Sequence, residues 1–375
     1  MKKILFLHPD LRGGGAEKVL VNMLNRLDKV KYDITLTTIF EEGVNKEILS
    51  PEVKHNFLLK KVFPGWSLLQ KIFSPSFLFN RIVKGNYDII VAYLEGVPTR
   101  IVGGCSSKNT KIISWVHVDL EGFNIEKVFR SPKEMRNLYL KYNAIVGVSK
   151  TALNSLSKKI PQIPKNKLKV IHNVVDVNLI IAKGNEIVEE IDFNKKTINL
   201  CSVGRLAQQK GYIRLLNALA LLAKEGIPFH LYIVGQGEQE EKLKEIIAKN
   251  QLESQITLLG FKSNPHKYVN NCDLFVCSSY QEGFSTAVTE SVLLKTPVLT
   301  TNCAGMDEIL VDGKYGMIVE NTDEALLGGL RKILTTPSLL NHYKEKVNER
   351  SQYLQEKDNI ADIEKLFHSI TQQQA

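Results

Sequence analysis

No acidic residue occurs between Val53 and Tyr87, the five cysteines form no Cys-x-x-Cys pair, and nowhere do roughly 18 apolar residues run together. Without paired cysteines there is neither a disulfide framework nor the spacing of a zinc or redox site. Cys105, Cys201, Cys272, Cys277 and Cys303 therefore read as reduced, mostly buried small apolar side chains of a cytosolic protein. Without a long apolar run no helix spans a bilayer. Met1-Lys2-Lys3 is followed by only four apolar residues, Ile4 to Leu7, before His8-Pro9, too few for a signal-peptide core. A Walker lysine is missing too. The triplet Gly13-Gly14-Gly15 is followed by Ala16, Glu17 and Lys18 instead of the spacing G-x-G-x-x-G, which argues against ATP hydrolysis and nicotinamide binding.

What is present suits a globular protein. The chain has 375 residues, 43% hydrophobic and 24% charged, enough for two domains with sizeable cores and too apolar for disorder. Lysine and arginine number 49 against 40 acidic residues, and the net +9 favours an anionic partner: nucleic acid, a nucleotide or an acidic membrane.

Residues 4–7 form an apolar run that meets His8-Pro9-Asp10 and the glycine triplet, after which Ala16, Val19, Leu20, Met23, Leu24 and Leu27 recur at helical spacing. Strand, glycine loop and helix open an α/β unit. Further strands are expected at 34–39, 87–93, 111–117 and 144–149, their continuous apolar character suiting a parallel sheet covered on both faces. Five strands with long connections predict a doubly wound sheet ending near residue 175. A polar, irregular stretch at 176–196 precedes a second series of strands at 198–204, 229–235, 256–259, 274–278 and 297–300, with helices at 213–224 and 240–250 between them. Ligands of such sheets sit beyond the strands' carboxyl ends, so two sheets facing a shared interdomain cleft would carry one deep site.

The acid-free stretch 53–87 breaks this rhythm. Lys54, Lys60, Lys61, Lys71, Arg81 and Lys84 accompany Phe63, Trp66, Phe73, Phe77 and Phe79. An anionic-lipid surface needs this combination; a packed helix pair with solvated lysines would show it as well.

Three motifs carry chemistry. Gly14 and Gly15 let backbone approach a ligand at a helix N-terminus, or simply make a tight turn. Arg205 and Lys210, in Gly204-Arg205-Leu206-Ala207-Gln208-Gln209-Lys210-Gly211, stand at a strand end where a fork and a point charge could neutralise a diphosphate, or lie solvated. In Glu282-Gly283-Phe284-Ser285-Thr286-Ala287-Val288-Thr289-Glu290, Gly283 to Thr286 reads as a turn opening a helix whose N–H groups would meet phosphate. Two carboxylates beside an anion site make electrostatic sense if they accept hydrogen bonds from sugar hydroxyls.

Taken in order, these motifs resemble a family-4 glycosyltransferase of the GT-B architecture, α/β with two Rossmann-like doubly wound parallel-sheet domains facing a cleft. The likeness adds His172-Asn173-Val174-Val175-Asp176, Val234-Gly235-Gln236-Gly237-Glu238, Gly305-Met306-Asp307-Glu308-Ile309 and Asp312-Gly313 with Gly316, and runs over nearly the whole chain. It implies an acceptor-binding domain at 1–180 completed by a C-terminal helix at 355–375, and a nucleotide-sugar-binding domain at 190–354. The helical tail 339–367 could otherwise end as a solvated helix. Asn173 to Asp176 lacks the glycine often seen in this hinge motif.

The resemblance also implies roles. Arg205 and Lys210 would stabilise the leaving diphosphate; Glu282 would hold donor-sugar hydroxyls and Glu290 the ribose. Gly283 and the backbone of Phe284, Ser285 and Thr286 would meet phosphate, as would Gly14 and Gly15. The base would lie around Gly235, Gly237, Phe261 and Lys262. His117 matches a histidine near the sugar, where it would orient the sugar or assist proton transfer, or serve as a structural side chain. The Asp-x-Asp metal motif is missing, in keeping with a metal-independent, cofactor-free retaining hexosyltransferase. The expected donor is a nucleotide sugar, UDP-linked, and the expected acceptor a glycan or a polyprenyl-diphosphate-linked saccharide in capsule, exopolysaccharide or O-antigen assembly. The enzyme would work in the cytoplasm, peripheral to the inner face of the plasma membrane through 53–87. A GT-B nucleotide-sugar 2-epimerase would share the site. Nucleic acid is not expected, since no recognised motif accompanies the charge.

Overall fold

The computed structural model describes residues 1–12, 14–62, 70–193, 196–357 and 359–372. The chain divides into two compact units, Met1–Val175 with Asp358–Ala375, and Asp176–Lys357.

The first unit holds a seven-stranded parallel sheet. Its strands are β1 (Lys2–His8), β2 (Tyr32–Phe40), β3 (Lys54–Leu59), β4 (Ile89–Ala92), β5 (Lys111–Val116), β6 (Ala144–Gly147) and β7 (Leu168–Val170), in the order β3-β2-β1-β4-β5-β6-β7. Leu5, Leu7, Ile90, Ala92, Val116 and Ile145 share one core with residues of the flanking helices. Each leucine, isoleucine or valine among them stabilises the fold by about 1.5–3 kcal/mol when fully buried.

Two of these strands were not expected. β7 has only three residues, too short to show a period. β3 lies inside the basic aromatic stretch and is a half-exposed sheet edge paired with β2, so 53–87 is not a helix pair throughout. Lys54 reaches Asp33 at 2.7 Å, and a charged edge discourages pairing with another chain. Farther along, helix Pro75–Ile82 starts at Ser74, whose hydroxyl accepts from the Phe77 N–H, with Pro75 in the first turn. Phe63 and Trp66 lie outside the described residues, as does Gly13.

The last helix, Asn359–Gln372, belongs to this unit and does not end in solvent. Phe367 packs edge-to-face on Phe6 and Tyr32, Lys31 pairs with Glu364 at 3.0 Å, and the Asn359 amide donates to the Asn173 carbonyl.

The second unit repeats the plan with β8 (Ile198–Val203), β9 (Phe229–Val234), β10 (Ile256–Gly260), β11 (Leu274–Cys277), β12 (Val298–Thr301) and β13 (Met317–Val319), ordered β10-β9-β8-β11-β12-β13. The short β13 adds a sixth strand to the five expected. The stretch 176–196, expected to be irregular, contains helix Val177–Gly184, capped by the Asp176 carboxylate on the Leu179 N–H. All five cysteines are free and buried. In each sheet the order reverses beside the first strand, between β1 and β4 and between β8 and β11, where the strand ends leave a crevice.

Candidate active site

In the second unit the crevice is lined by the segments that follow β8 and β11. A short 3₁₀ turn, Gln208–Lys210, ends at Gly211, whose φ of +67° is left-handed. A Cβ there would stand 2.0 Å from the Ser278 carbonyl oxygen, so glycine is required for the Lys210 segment to lie against the β11 loop. The Ser278 hydroxyl donates to the Lys210 carbonyl and the Tyr280 N–H to that of Gln209.

That contact brings together two of the expected residues, 72 positions apart. Lys210 Nζ lies 2.7 Å from Glu282 Oε1, which also accepts from the Ser279 hydroxyl at 2.6 Å. Glu282 is buried. Burial opposes the charge of Lys210, but the Glu282 carboxylate outweighs it and the ammonium is held above its ordinary pKa. The lysine is therefore a fixed cation at the strand ends.

Just beyond, Gly283 and the buried Phe284 lead to Ser285, which caps helix Thr286–Leu293 by accepting from the Val288 N–H. The helix begins at Thr286, as expected, and its first N–H groups form a partial positive end. Glu290 lies one turn in. Its carboxylate stands 3.2 Å from His266 Nε2, a neighbour that the sequence did not reveal.

Arg205 and the residues expected near the base are more open. The Arg205 guanidinium is exposed and 3.1 Å from Glu238, a solvent-screened surface pair. Gly235 has φ +150°, and a Cβ there would sit 1.9 Å from the Gly204 carbonyl oxygen, so the 204 and 235–237 loops interlock closely. The Leu206 N–H donates to the Gln236 carbonyl and the Gln239 N–H to that of Leu206, across Gly237. Phe261 is 63% exposed, an aromatic face open to a planar ring. Lys262 is 3.6 Å from Glu190.

Arg214 was not singled out from sequence, where a cation on a helix reads as solvated. It is buried, donates from Nε to the Ser278 carbonyl at 2.7 Å and from Nη2 to that of Ser279, and lies 3.8 Å over the Tyr280 ring. It therefore fixes the loop from which Glu282 projects. Burial lowers its pKa.

Gly14, Gly15 and His117 belong to the first unit. Gly14 caps helix Gly15–Arg26, so Gly15 is the first helical residue and not part of the loop. His117 follows β5; its backbone N–H donates to the Glu95 carboxylate at 2.8 Å and its ring lies 4.7 Å from that of Tyr93. Burial, with the charge His8 would carry, pushes the His117 pKa down to about 3, and burial pushes His8 to about 4; Glu95 is raised to about 7, again by burial.

A pH dependence of stability follows from the histidines. Below pH ~6.5 the unfolded chain takes up protons that the buried rings refuse, so their contribution is complete above that value and is lost as pH falls toward about 4. His8 alone accounts for a loss on the order of 3 kcal/mol. Glu95, raised to about 7, gains stability over the same range, so the His8 share is read as a difference: between pH 7 and pH 4.5 a His8→Phe variant should fare better than wild type by on the order of 3 kcal/mol in urea titrations, and parallel profiles would refute the assignment.

Comparison with known proteins gives a consistent result. The model for Glycosyltransferase Family 4 matches residues 13–179, and that for Glycosyl transferases group 1 matches 184–350. An N-acetylgalactosamine-N,N'-diacetylbacillosaminyl-diphospho-undecaprenol 4-alpha-N-acetylgalactosaminyltransferase of Campylobacter jejuni is 28% identical over 370 residues, covering 94% of this chain and 95% of that protein. Among solved structures, Anabaena HepE in complex with UDP and glucose aligns with a TM-score of 0.73 at 18% identity, over 100% of this chain and 98% of that one. A glycosyltransferase from Rickettsia africae aligns with a TM-score of 0.77 at 20% identity, over 98% of each. At such identities these likenesses establish the fold, which is GT-B.

Proposed function

The chain belongs to the family-4 glycosyltransferases, and on that footing we propose that it moves a hexose or N-acetylhexosamine from a UDP-sugar to a glycan or polyprenyl-diphosphate-linked saccharide, with retention of configuration, in cell-surface polysaccharide assembly. The observation that carries this reading is the Lys210–Glu282 pair beside the open start of helix Thr286–Leu293. A cation and a helix N-terminus suit a diphosphate, and a carboxylate a few ångströms away suits sugar hydroxyls. The names of the Campylobacter relative, with its undecaprenol-linked acceptor, and of HepE, with its UDP, support the choice of substrates.

In this reading Arg205 and Lys210 neutralise the departing diphosphate without a metal, and Glu282 orients the sugar. Gly14, Gly15, Gly283 and the backbone at Phe284, Ser285 and Thr286 meet the phosphates. Glu290 takes the ribose, and Gly235, Gly237, Phe261 and Lys262 surround the base. His117 orients the sugar. The bond from the anomeric carbon to the phosphate oxygen breaks with its electrons going to the diphosphate, the acceptor oxygen bonds to the same face, and its proton passes to the departing phosphate. The first unit would take the acceptor and the second the donor.

The basic segment would hold the enzyme peripherally at the cytoplasmic face of the membrane; among the described residues no helix is long and apolar enough to cross it. Ile72, Phe73 and Phe77 are exposed there, the two phenyl rings stacked 4.8 Å apart. Incubation with radiolabelled UDP-sugars and lipid-linked acceptor extracts, followed by sedimentation with anionic vesicles, tests both parts. Labelled lipid-linked saccharide is expected. Epimerised free donor with no glycan product would make the protein a 2-epimerase instead, and failure to pellet with anionic vesicles would remove the membrane role.

A further inference from the structure

Glu290, expected on the donor ribose, has an imidazole at its back. The glutamate is 9% exposed and His266 4%, and His266 Nε2 stands 3.2 Å from Glu290 Oε2. An ionised carboxylate can only accept, so the ring nitrogen that faces it is the one that carries a proton in a pairing between them. The two groups are close without being aligned: neither ring nitrogen makes a hydrogen bond among the described residues. Buried donors and acceptors are costly to leave in that state.

Of the two, the imidazole is the anchored partner. His266 opens helix His266–Asn270, and its backbone N–H donates to Asn264 Oδ1 at 3.1 Å. The Asn264 amide in turn donates to the Lys183 carbonyl at 2.9 Å and to the Glu186 carboxylate at 2.7 Å. Farther along, the Tyr268 hydroxyl donates to Glu190, and the Val269 carbonyl accepts from the Thr296 hydroxyl at 3.0 Å. The short helix is thus tied on one side to the 183–190 segment and on the other to the chain that follows helix Thr286–Leu293. A glutamate, by contrast, ends in a soft torsion, so a small turn of its carboxylate would bring Oε2 onto the Nε2–H. One oxygen then takes the imidazole donor and the other turns to a ligand. A vicinal diol, with two hydroxyl donors side by side, gains most from a carboxylate held in one orientation.

We propose that His266 is a positioning residue for nucleoside recognition, its Nε2–H holding Glu290 Oε2 so that the carboxylate meets the vicinal ribose hydroxyls of the donor. The inference deepens the transferase reading and rests on its UDP-linked donor.

Calorimetry on the full chain would compare UDP with dideoxy-UDP, which lacks both ribose hydroxyls. Wild type should favour UDP about 10- to 100-fold, the range expected of hydrogen bonds to a charged group. His266→Phe should weaken UDP about 5- to 10-fold and leave dideoxy-UDP unchanged, so that the ratio falls. His266→Gln, whose amide reaches the position of Nε2, should recover most of the ratio; His266→Asn, whose amide reaches only that of Nδ1, should not. A merely structural histidine would not separate the two amides. In a Glu290→Ala background His266→Phe should cost UDP affinity nothing more. Thermal melts control for folding, and His266→Asn takes the place of His266→Phe should the latter fail to fold. A wild-type ratio in folded His266→Phe or His266→Asn protein, with the ratio lost in Glu290→Ala, would overturn the role of His266 and leave the donor site intact. A ratio that survives Glu290→Ala would remove Glu290 from the ribose, and the inference with it. Failure of the wild-type protein to transfer from any UDP-sugar would sink the transferase reading itself.

Discussion

Lys210→Ala is expected to lower kcat for sugar transfer by about 10²–10³-fold, the effect of removing one preorganised charge-stabilising group from a developing anion. The geometry explains why so much should rest on one side chain. Gly211 turns the segment onto Ser278, the Ser278 hydroxyl holds the Lys210 carbonyl, and Glu282 fixes the ammonium at 2.7 Å, so little reorganisation is left for the reaction. A stability effect accompanies the catalytic one. Without Lys210 the buried Glu282 carboxylate loses its charged partner and keeps the Ser279 hydroxyl, a deficit of about 1–3 kcal/mol. The two effects separate experimentally. Glu282→Gln should relieve the deficit in a Lys210→Ala background, because a neutral amide tolerates the site, yet it should not restore kcat. Lys210→Arg should recover part of the rate, since the charge returns on a planar fork that does not match the single ammonium position. The checks are urea melts and initial rates at saturating donor; a folded Lys210→Ala enzyme with near-normal kcat would remove Lys210 from the site.

Lys210 and Glu282 were legible in the sequence because each sits beside a glycine at the end of an apolar run, and their motifs keep a recognisable order. What the sequence could not show was that they pair with each other, because contact between positions 72 apart depends on β8 and β11 being neighbours. The neighbour of Glu290 is hidden for the same reason: His266 stands 24 positions earlier on a separate short helix. Arg214 was missed on different grounds. A guanidinium on an amphipathic helix is ordinarily solvated, and only the carbonyls of Ser278 and Ser279 turned inward make its burial tolerable. Among the strands, continuous apolar runs gave β1, β2, β4, β5, β6 and β8 to β12. β7 and β13 are three residues each, and β3 is an edge whose lysine, histidine and asparagine follow no apolar alternation. His8 reads in the sequence only as the residue at which an apolar run ends; the Asp10 carbonyl that fixes its tautomer is two residues away and can be read only from the backbone path.

Arg100→Ala should destabilise the protein by about 3–5 kcal/mol, the cost of breaking a buried ion pair by removing one partner. Arg100 is fully buried on helix Val97–Val102 and uses its whole fork. Nε and Nη2 grip the Glu134 carboxylate at 3.0 and 3.1 Å, while Nη1 and Nη2 donate to the carbonyls of Gln70 and Phe73. Arg130 extends the clamp, donating to the carbonyls of Lys71 and Ile72. Four consecutive carbonyls are thus tied to two guanidinium groups, and this tether presents Ile72, Phe73 and Phe77 outward. Arg100→Lys should recover little, because a point charge cannot serve Glu134 and two carbonyls at once. Hydrogen exchange should rise first in helix Pro75–Ile82, well before the sheet opens. Urea melts within about 1 kcal/mol of wild type would show that the clamp contributes no more than a surface contact. The same variant also probes the membrane reading in a way that removing surface lysines cannot. Arg100 is itself buried and cannot touch a lipid headgroup, so weaker pelleting with anionic vesicles by folded Arg100→Ala protein would report the lost presentation of the apolar side chains, and unchanged pelleting would assign the attraction to the surface cations alone.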